Sequence, residues 1–324
     1  MAWEDQFKGI LREVLEKGQN CHPHDPAREL VAYQFTLLNP RDRLLRNPHA
    51  PFNLPQSLGQ FIWMLRGDYE WEPMQFYTKS AERYTEDHRV MRGAYGFRFR
   101  GPGYLNQLDW IMEKKLTHEE NQNARDSRRA IVSIYLPEFD QHEKKGAEVP
   151  CTALVQYLRR GDTLHAITYM RSQNAFLLLP VDIFLLSMLH EYVARSVGCD
   201  IGSYHHVCGS LHIYEKDVEK VRKAISDGSP PFDPMRDMPA DVYGTMGSVA
   251  NSERTIRQVA NADWSAKTKE LALLEERKFI ASFPEYFKDY LTVIFAHAFR
   301  QAGFTAHASD CLSSLPENFV RRLQ

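Results

Sequence analysis

Pro150-Cys151-Thr152-Ala153-Leu154-Val155-Gln156-Tyr157-Leu158 sets a thiol directly ahead of a β-like run, Ala153–Leu158. Polar residues at fixed distances downstream give that thiol its meaning. Arg171 lies 20 residues on, in Met170-Arg171-Ser172-Gln173-Asn174, and Asp182 lies 31 on, in Leu179-Pro180-Val181-Asp182. His212 lies 61 on, in Leu211-His212-Ile213-Tyr214. A thiolate is the strongest ordinary side-chain nucleophile, and a guanidinium beside it stabilises the charged form. Taken singly, Cys151 reads as a core cysteine and each arginine as a solvated surface group. The set as a whole suits covalent chemistry on a phosphorylated ring.

Outward from this stretch, Leu164–Tyr169 is a further strand and Ile183–Val197 a long helix ended by Gly198. Ser203–Ile213 reads as a strand and Glu215–Ile225 as a helix. Upstream, Trp3, Phe7, Ile10, Leu11, Val14 and Leu15 mark an amphipathic helix over residues 3–17, broken by the polar stretch Gly18–Pro26. Glu29–Leu38 reads as a strand before the turn Asn39–Arg43, and Pro55–Leu65 as a helix stopped by Gly67-Asp68. Leu105–Lys114 is helical in pattern, Ala130–Tyr135 is β-like, and Glu138–Glu148 is a charged loop. Beyond Asp227 come the linker-like Ser229–Pro234 and then a helical pattern, including Thr268–Ala281 and Pro284–Gln301. The expected fold is α/β (α+β): a mixed β-sheet with surrounding helices over 1–226, a linker over 227–249, and a C-terminal helical extension over 250–324.

Composition narrows the class. The chain of 324 residues is 43% hydrophobic and 25% charged, as in ordinary globular proteins. Its formal net charge of −2 gives no electrostatic case for binding nucleic acid or an anionic membrane. Five scattered cysteines without CxxC spacing suggest neither a disulfide framework nor a zinc knuckle. The apolar run Ala175–Ala194 is interrupted by Pro180, Asp182, His190 and Glu191, which argues against a membrane span. The opening Met1-Ala2-Trp3-Glu4-Asp5 lacks a secretory pattern, so the expected setting is cytoplasmic. His205, His206 and Cys208 lack a second ligand pair at matching spacing, so no metal site is expected.

Further stretches fall in order around the Cys151 set. These are Phe52-Asn53-Leu54-Pro55, Trp63-Met64-Leu65-Arg66-Gly67-Asp68, and Gly93-Ala94-Tyr95-Gly96 with Arg98 and Arg100. Asn106-Gln107-Leu108 and Asp126-Ser127-Arg128-Arg129-Ala130-Ile131-Val132-Ser133 complete them. Together they resemble the thymidylate synthase superfamily, which includes the pyrimidine nucleotide hydroxymethylases, over roughly residues 5–226.

The resemblance implies a homodimer acting on a pyrimidine nucleoside monophosphate with 5,10-methylenetetrahydrofolate. Cys151 would be the nucleophile, with Gln60 and Tyr95 completing the catalytic set. Arg171, Ser172 and Arg28 would bind the phosphate, joined by Arg128 and Arg129 from the partner subunit. His212 and Tyr214, two apart on a β-like segment and so facing one way, would hold the sugar. Asn174 and Asp182 would face the base and the folate.

Asp182 stands where thymidylate synthases carry an asparagine. An amide serves both the N3–H and the O4 of uracil, whereas an ionised carboxylate only accepts and so favours the N4 amino group of cytosine. Asp182 has a second reading, as the cap of the helix beginning near Ile183. The implied reaction is folate-dependent C5-hydroxymethylation of CMP or dCMP through a covalent Cys151–C6 adduct. The alternatives are a C5-methylating enzyme acting on dUMP or a cytidylate, and a nucleotide-binding homologue without turnover. Three departures bear on them: Gln60 replaces a catalytic glutamate, Asn174 an aspartate, and Thr152 the histidine that usually comes after the nucleophile.

Overall fold

The computed structural model describes the chain except residues 22–24, 80–81, 83–84, 86–87, 101–105, 118–126, 142–148, 229–231 and 324, and the side chains of 321 and 322. Leu105, Asp126, most of the expected loop Glu138–Glu148, and Ser229-Pro230-Pro231 of the expected linker fall outside the described residues. Six strands form one mixed sheet: β1 (Gln19–Cys21), β2 (Ala27–Leu37), β3 (Ala130–Ser133), β4 (Thr152–Arg160), β5 (Thr163–Asn174) and β6 (Asp200–Tyr214). Their spatial order is β1-β2-β6-β5-β4-β3. The β5–β6 pair is parallel and the remaining pairs are antiparallel.

The first eight helices are α1 (Trp3–Lys17), α2 (Leu54–Leu65), α3 (Glu72–Gln75), α4 (Tyr95–Arg100), α5 (Gln107–Ile111), α6 (Pro137–Asp140), α7 (Leu179–Ser196) and α8 (Val218–Ser226). Helix α7 makes the parallel crossover from β5 to β6. Nearly all of its residues from Leu179 to Ala194 are buried, because the sheet covers one side and other helices, α2 among them, cover the rest. A helix enclosed this way is apolar all round, which accounts for the long apolar run in the sequence. Among the described residues no helix is long and apolar enough to cross a membrane.

The sheet changes pitch at one level across its centre. On β6, Tyr204, His206 and Cys208 are buried, and then the buried parity passes to Leu211 and Ile213. On β5 it passes likewise from Thr168 and Met170 to Gln173. Arg171 and Gly209 fall between the register pairs Met170–Cys208 and Ser172–Ser210. Ala32 on β2, at φ 56°, lies at the same level between Val31–Ser210 and Tyr33–Cys208. Glycine suits position 209, since a Cβ there would lie 3.0 Å from the Arg171 carbonyl oxygen. This aligned kink turns Ser172, Asn174, Ser210 and His212 to the face opposite the α7 side.

The C-terminal helices are α9 (Val242–Asn261), α10 (Ala266–Ile280), α11 (Glu285–Gln301), α12 (Thr305–Ser313) and α13 (Glu317–Leu323). Helix α9 opens at Val242, inside the stretch expected as linker. These helices share one continuous cluster of buried side chains with β2–β6, α1–α5, α7 and α8. Buried polar contacts reinforce the join: the Tyr77 hydroxyl donates to Glu253 at 2.9 Å, and His297 Nε2 donates to the Phe76 carbonyl at 2.9 Å.

Two element boundaries differ from expectation in ways that matter. Strand β5 runs on to Asn174, five residues past the apolar alternation, because its last residues pair with β6 rather than with water. Helix α7 starts at Leu179 rather than near Ile183, with Pro180 in its first turn. Leu178 is its N-cap and no side chain caps it, so the capping reading of Asp182 does not hold.

Candidate active site

Cys151 is half-buried at the entrance to β4, where its carbonyl accepts the Arg171 backbone N–H at 2.8 Å. The Arg171 side chain folds back on the same loop. Its Nε donates to the Pro150 carbonyl at 3.0 Å and its Nη2 to the Val149 carbonyl at 2.8 Å. The guanidinium thus braces the nucleophile loop and retains Nη1, which has no hydrogen bond among the described residues. Thr152 is fully buried, with its hydroxyl 2.9 Å from Met170 Sδ. It faces the core, away from any ligand.

Beyond the kink, Ser172 pairs with Ser210 and Asn174 with His212 across β5 and β6. The His212 and Tyr214 rings meet edge to face, 5.0 Å between centroids, and Lys216 Nζ lies 4.6 Å from the Tyr214 ring. Glu29 is the β2 register partner of His212, and its carboxylate accepts from the Ser210 hydroxyl. Asn174 Oδ1 accepts from the backbone N–H groups of Phe176 and Leu177 at 3.0 and 2.7 Å, closing the turn into α7. An aspartate could make those bonds with one oxygen and keep the other as an acceptor. Asparagine is left with an N–H donor at that end.

That turn carries Asp182 in the first turn of α7, 9% exposed, where Gln173 Nε2 donates to its Oδ2 at 2.9 Å. Burial pushes the Asp182 carboxyl up to about 7, and the Gln173 hydrogen bond opposes the rise. Both ionisation states are therefore accessible near neutral pH. The sequence alone does not single out Gln173 and His206, which stand behind this carboxylate. Their signal is the parity switch on β5 and β6, visible only once the kink is located.

Contacts and register link Cys151 to Arg171, Ser172 to Ser210, and Asn174 to His212 beside Tyr214, while Asp182 is tied to β5 through Gln173 on the α7 side. Gln60 is half-buried on α2, and its side chain has no hydrogen bond among the described residues. Tyr95 is the first residue of α4. A Cβ at the adjoining Gly96 would overlap the Met64 carbonyl, so glycine lets α4 rest on α2.

The remaining arginines separate. Arg28 is committed within its own chain, with Nε 2.8 Å from Glu215 Oε1 and Nη1 donating to the Leu15 carbonyl at 2.8 Å. Arg128 and Arg129 are exposed ahead of the edge strand β3, and neither side chain has a partner among the described residues. His205 and His206 lie on opposite faces of β6, and no group of three or more metal-ligating side chains converges among the described residues. A cavity of about 540 Å³ lined in part by Trp71, Phe76, Tyr77, Asn261 and Gln301 includes none of the expected site residues.

The sequence profile of the thymidylate synthase family matches residues 5–238. A deoxyuridylate hydroxymethyltransferase of Pseudomonas phage M6 is 32% identical over 190 residues, covering 57% of this chain and 51% of that protein. A deoxyuridylate hydroxymethyltransferase of Bacillus phage SP01 is 25% identical over 224 residues, covering 65% of this chain and 57% of that protein. The chain thus spans about half the length of the curated relatives it matches. With the profile covering most of its length, the chain belongs to the thymidylate synthase family.

Proposed function

We propose that the protein is a one-carbon transferase that hydroxymethylates C5 of a cytidine monophosphate, CMP or dCMP. The observation that carries this reading is a buried carboxyl, Asp182, on the turn that joins the Cys151–Arg171 clamp to the His212 strand. Cys151 adds to C6 and makes C5 nucleophilic. Arg171 and Ser172 hold the phosphate, with Arg128 and Arg129 supplied by the partner subunit of a homodimer, and His212 and Tyr214 hold the sugar. Arg28 is a weaker phosphate candidate, since Glu215 already occupies it.

Asp182 reads the 4-position of the base. Ionised, it accepts from the N4 amino group of cytosine and repels the O4 of uracil. Protonated, the same carboxyl can instead donate to N3 and spread the charge that develops as C6 is attacked, and a carboxyl near 7 reaches both states.

Methylenetetrahydrofolate supplies the one-carbon unit at the oxidation level of formaldehyde. Asn174 fits it as a donor, its amide nitrogen being the end not used in the turn. Gln60 can orient water at the new carbon without acting as a base. C5 bonds to that carbon and gives up its proton, tetrahydrofolate would leave with the nitrogen that carried it, and water adding to the exocyclic methylene as the Cys151 thiolate is released gives the hydroxymethyl product.

A second reading, a uridylate substrate, is favoured by the printed names of the two phage relatives. The neutral carboxyl also suits it, because it can accept from N3–H and donate to O4 at once. Tritium release from 5-³H-labelled CMP, dCMP, UMP and dUMP, with and without methylenetetrahydrofolate, separates the two. Release from a cytidylate alone, lost in Cys151→Ala, supports the first reading. Release from a uridylate alone replaces it with the second.

A further inference from the structure

Behind Asp182, on the α7 side of the sheet, a row of buried polar groups runs away from the site. Gln173 Nε2 donates to Asp182 Oδ2 at 2.9 Å, Gln173 Oε1 lies 3.2 Å from His206 Nε2, and His206 Nδ1 lies 3.0 Å from the Tyr204 hydroxyl. Gln173, His206 and Tyr204 are at most 1% exposed, so bulk water does not compete for these groups.

The donors and acceptors in the row can be assigned. Burial holds the His206 imidazole down to about 3 and pushes the Tyr204 phenol well above its usual range, so both are neutral. Because Gln173 Nε2 donates to Asp182, its Oε1 accepts from His206 Nε2–H, and the bare Nδ1 accepts from the Tyr204 hydroxyl. The amide is then locked with its NH2 group toward Asp182. Oδ2 stays bare, and any proton on the carboxyl resides on Oδ1. The other titratable groups close to Asp182 are Tyr204 and Cys208, and burial raises the Cys208 thiol to about 12. Neither changes charge around neutral pH.

We propose that Gln173 is a positioning residue for base discrimination, held by His206 and Tyr204 so that Asp182 meets the base through Oδ1 alone. This rests on the reading of Asp182 as the residue that faces the base. Oδ1 then alternates between acceptor and donor as Asp182 titrates, which makes the preference between cytidylate and uridylate depend on pH. The strands supply the geometry: Gln173 is the first buried residue after the kink on β5, and His206 lies one inward position before Cys208 on β6.

Two measurements on the full chain test it: isotope-edited NMR with labelled histidine, and pH titrations of CMP and UMP binding. His206 should report the neutral Nε2–H tautomer from mildly acidic to mildly alkaline pH. Tyr204→Phe, which removes the hydroxyl donor, should let the Nδ1–H tautomer appear. Gln173→Leu removes a hydrogen bond that favours the carboxylate. It should raise the midpoint of the binding titration by about one to two pH units and shrink the difference between CMP and UMP.

A residue with only a structural role would weaken both nucleotides alike and leave the midpoint in place. An Nδ1–H tautomer in the wild type would mean that the amide faces the other way. Either result overturns the relay. If Gln173→Leu does not fold, the tautomer in the wild type and in Tyr204→Phe still decides. If neither nucleotide binds the wild type, the base-reading role fails, and the NMR result separately decides the relay.

Discussion

Arg171 is fastened to the loop that carries Cys151, through the Pro150 carbonyl at 3.0 Å and the Val149 carbonyl at 2.8 Å. One cation therefore braces the loop that carries the thiol, and in the proposed reading it also anchors the phosphate. Arg171→Ala should lose both roles, and Arg171→Lys should keep the charge without the fork. We expect Cys151-dependent adduct formation to fall by roughly a hundredfold or more in the alanine variant, as two charged hydrogen bonds are lost. The lysine variant should fall between it and the wild type. Trapping of the covalent adduct by mass spectrometry measures both.

Asp182 sets a pH dependence on stability. Its folded-state carboxyl lies near 7 against an ordinary value of 3.8, so the folded chain holds this proton more tightly than the unfolded chain. That favours folding below the ordinary value and is lost as pH rises through about 7. Asp182→Asn should therefore be more stable than the wild type at about pH 8, by on the order of 2–4 kcal/mol, with the gap narrowing by about pH 5. Urea unfolding at the two pH values checks the sign. A gap that widened toward acid would contradict it.

Gly96 allows α4 to touch α2, leaving no space for a Cβ against the Met64 carbonyl. Gly96→Ala should cost roughly 1–3 kcal/mol and displace Tyr95 from α2. Turnover should fall further than nucleotide affinity, because Arg171, Ser172, His212 and Tyr214, proposed for the phosphate and sugar, lie on β5 and β6. Equal losses in both would argue that Tyr95 has no place in the chemistry.

Thr152 invites a restoration experiment, since the resemblance implies a histidine at this position after the nucleophile. The structure predicts that Thr152→His fails. The side chain is fully buried against Met170, where an imidazole overfills the core and loses its hydration. Destabilisation of roughly 1–3 kcal/mol without a gain in turnover is expected, read by thermal unfolding and tritium release.

Much of this arrangement was legible in the residue order. The apolar spacing of Trp3, Phe7 and Ile10 located α1, and the β-like run Ser203–Ile213 located most of β6. The spacing singled out Cys151 and Arg171, which the structure joins through the Cys151 carbonyl and the Pro150 and Val149 carbonyls. What escaped was the polar half of β5. Arg171, Ser172, Gln173 and Asn174 carry no apolar alternation, and their strand geometry comes from pairing with β6. The commitment of Arg28 to Glu215 escaped for a similar reason: it joins residues 187 positions apart. The start of α7 was misplaced because Pro180 reads as a breaker in sequence, while in the first turn its missing N–H costs nothing.

In the proposed reading Cys151 and Asp182 together add a hydroxymethyl group to a cytidylate. Mass spectrometry of the nucleotide products after incubation of CMP, dCMP, UMP and dUMP with methylenetetrahydrofolate tests it most directly. The prediction is one CH2O unit gained by a cytidylate, absent in Cys151→Ala and shifted toward the uridylates in Asp182→Asn. A gain on uridylates alone in the wild type, or no new product from any of the four, would contradict it.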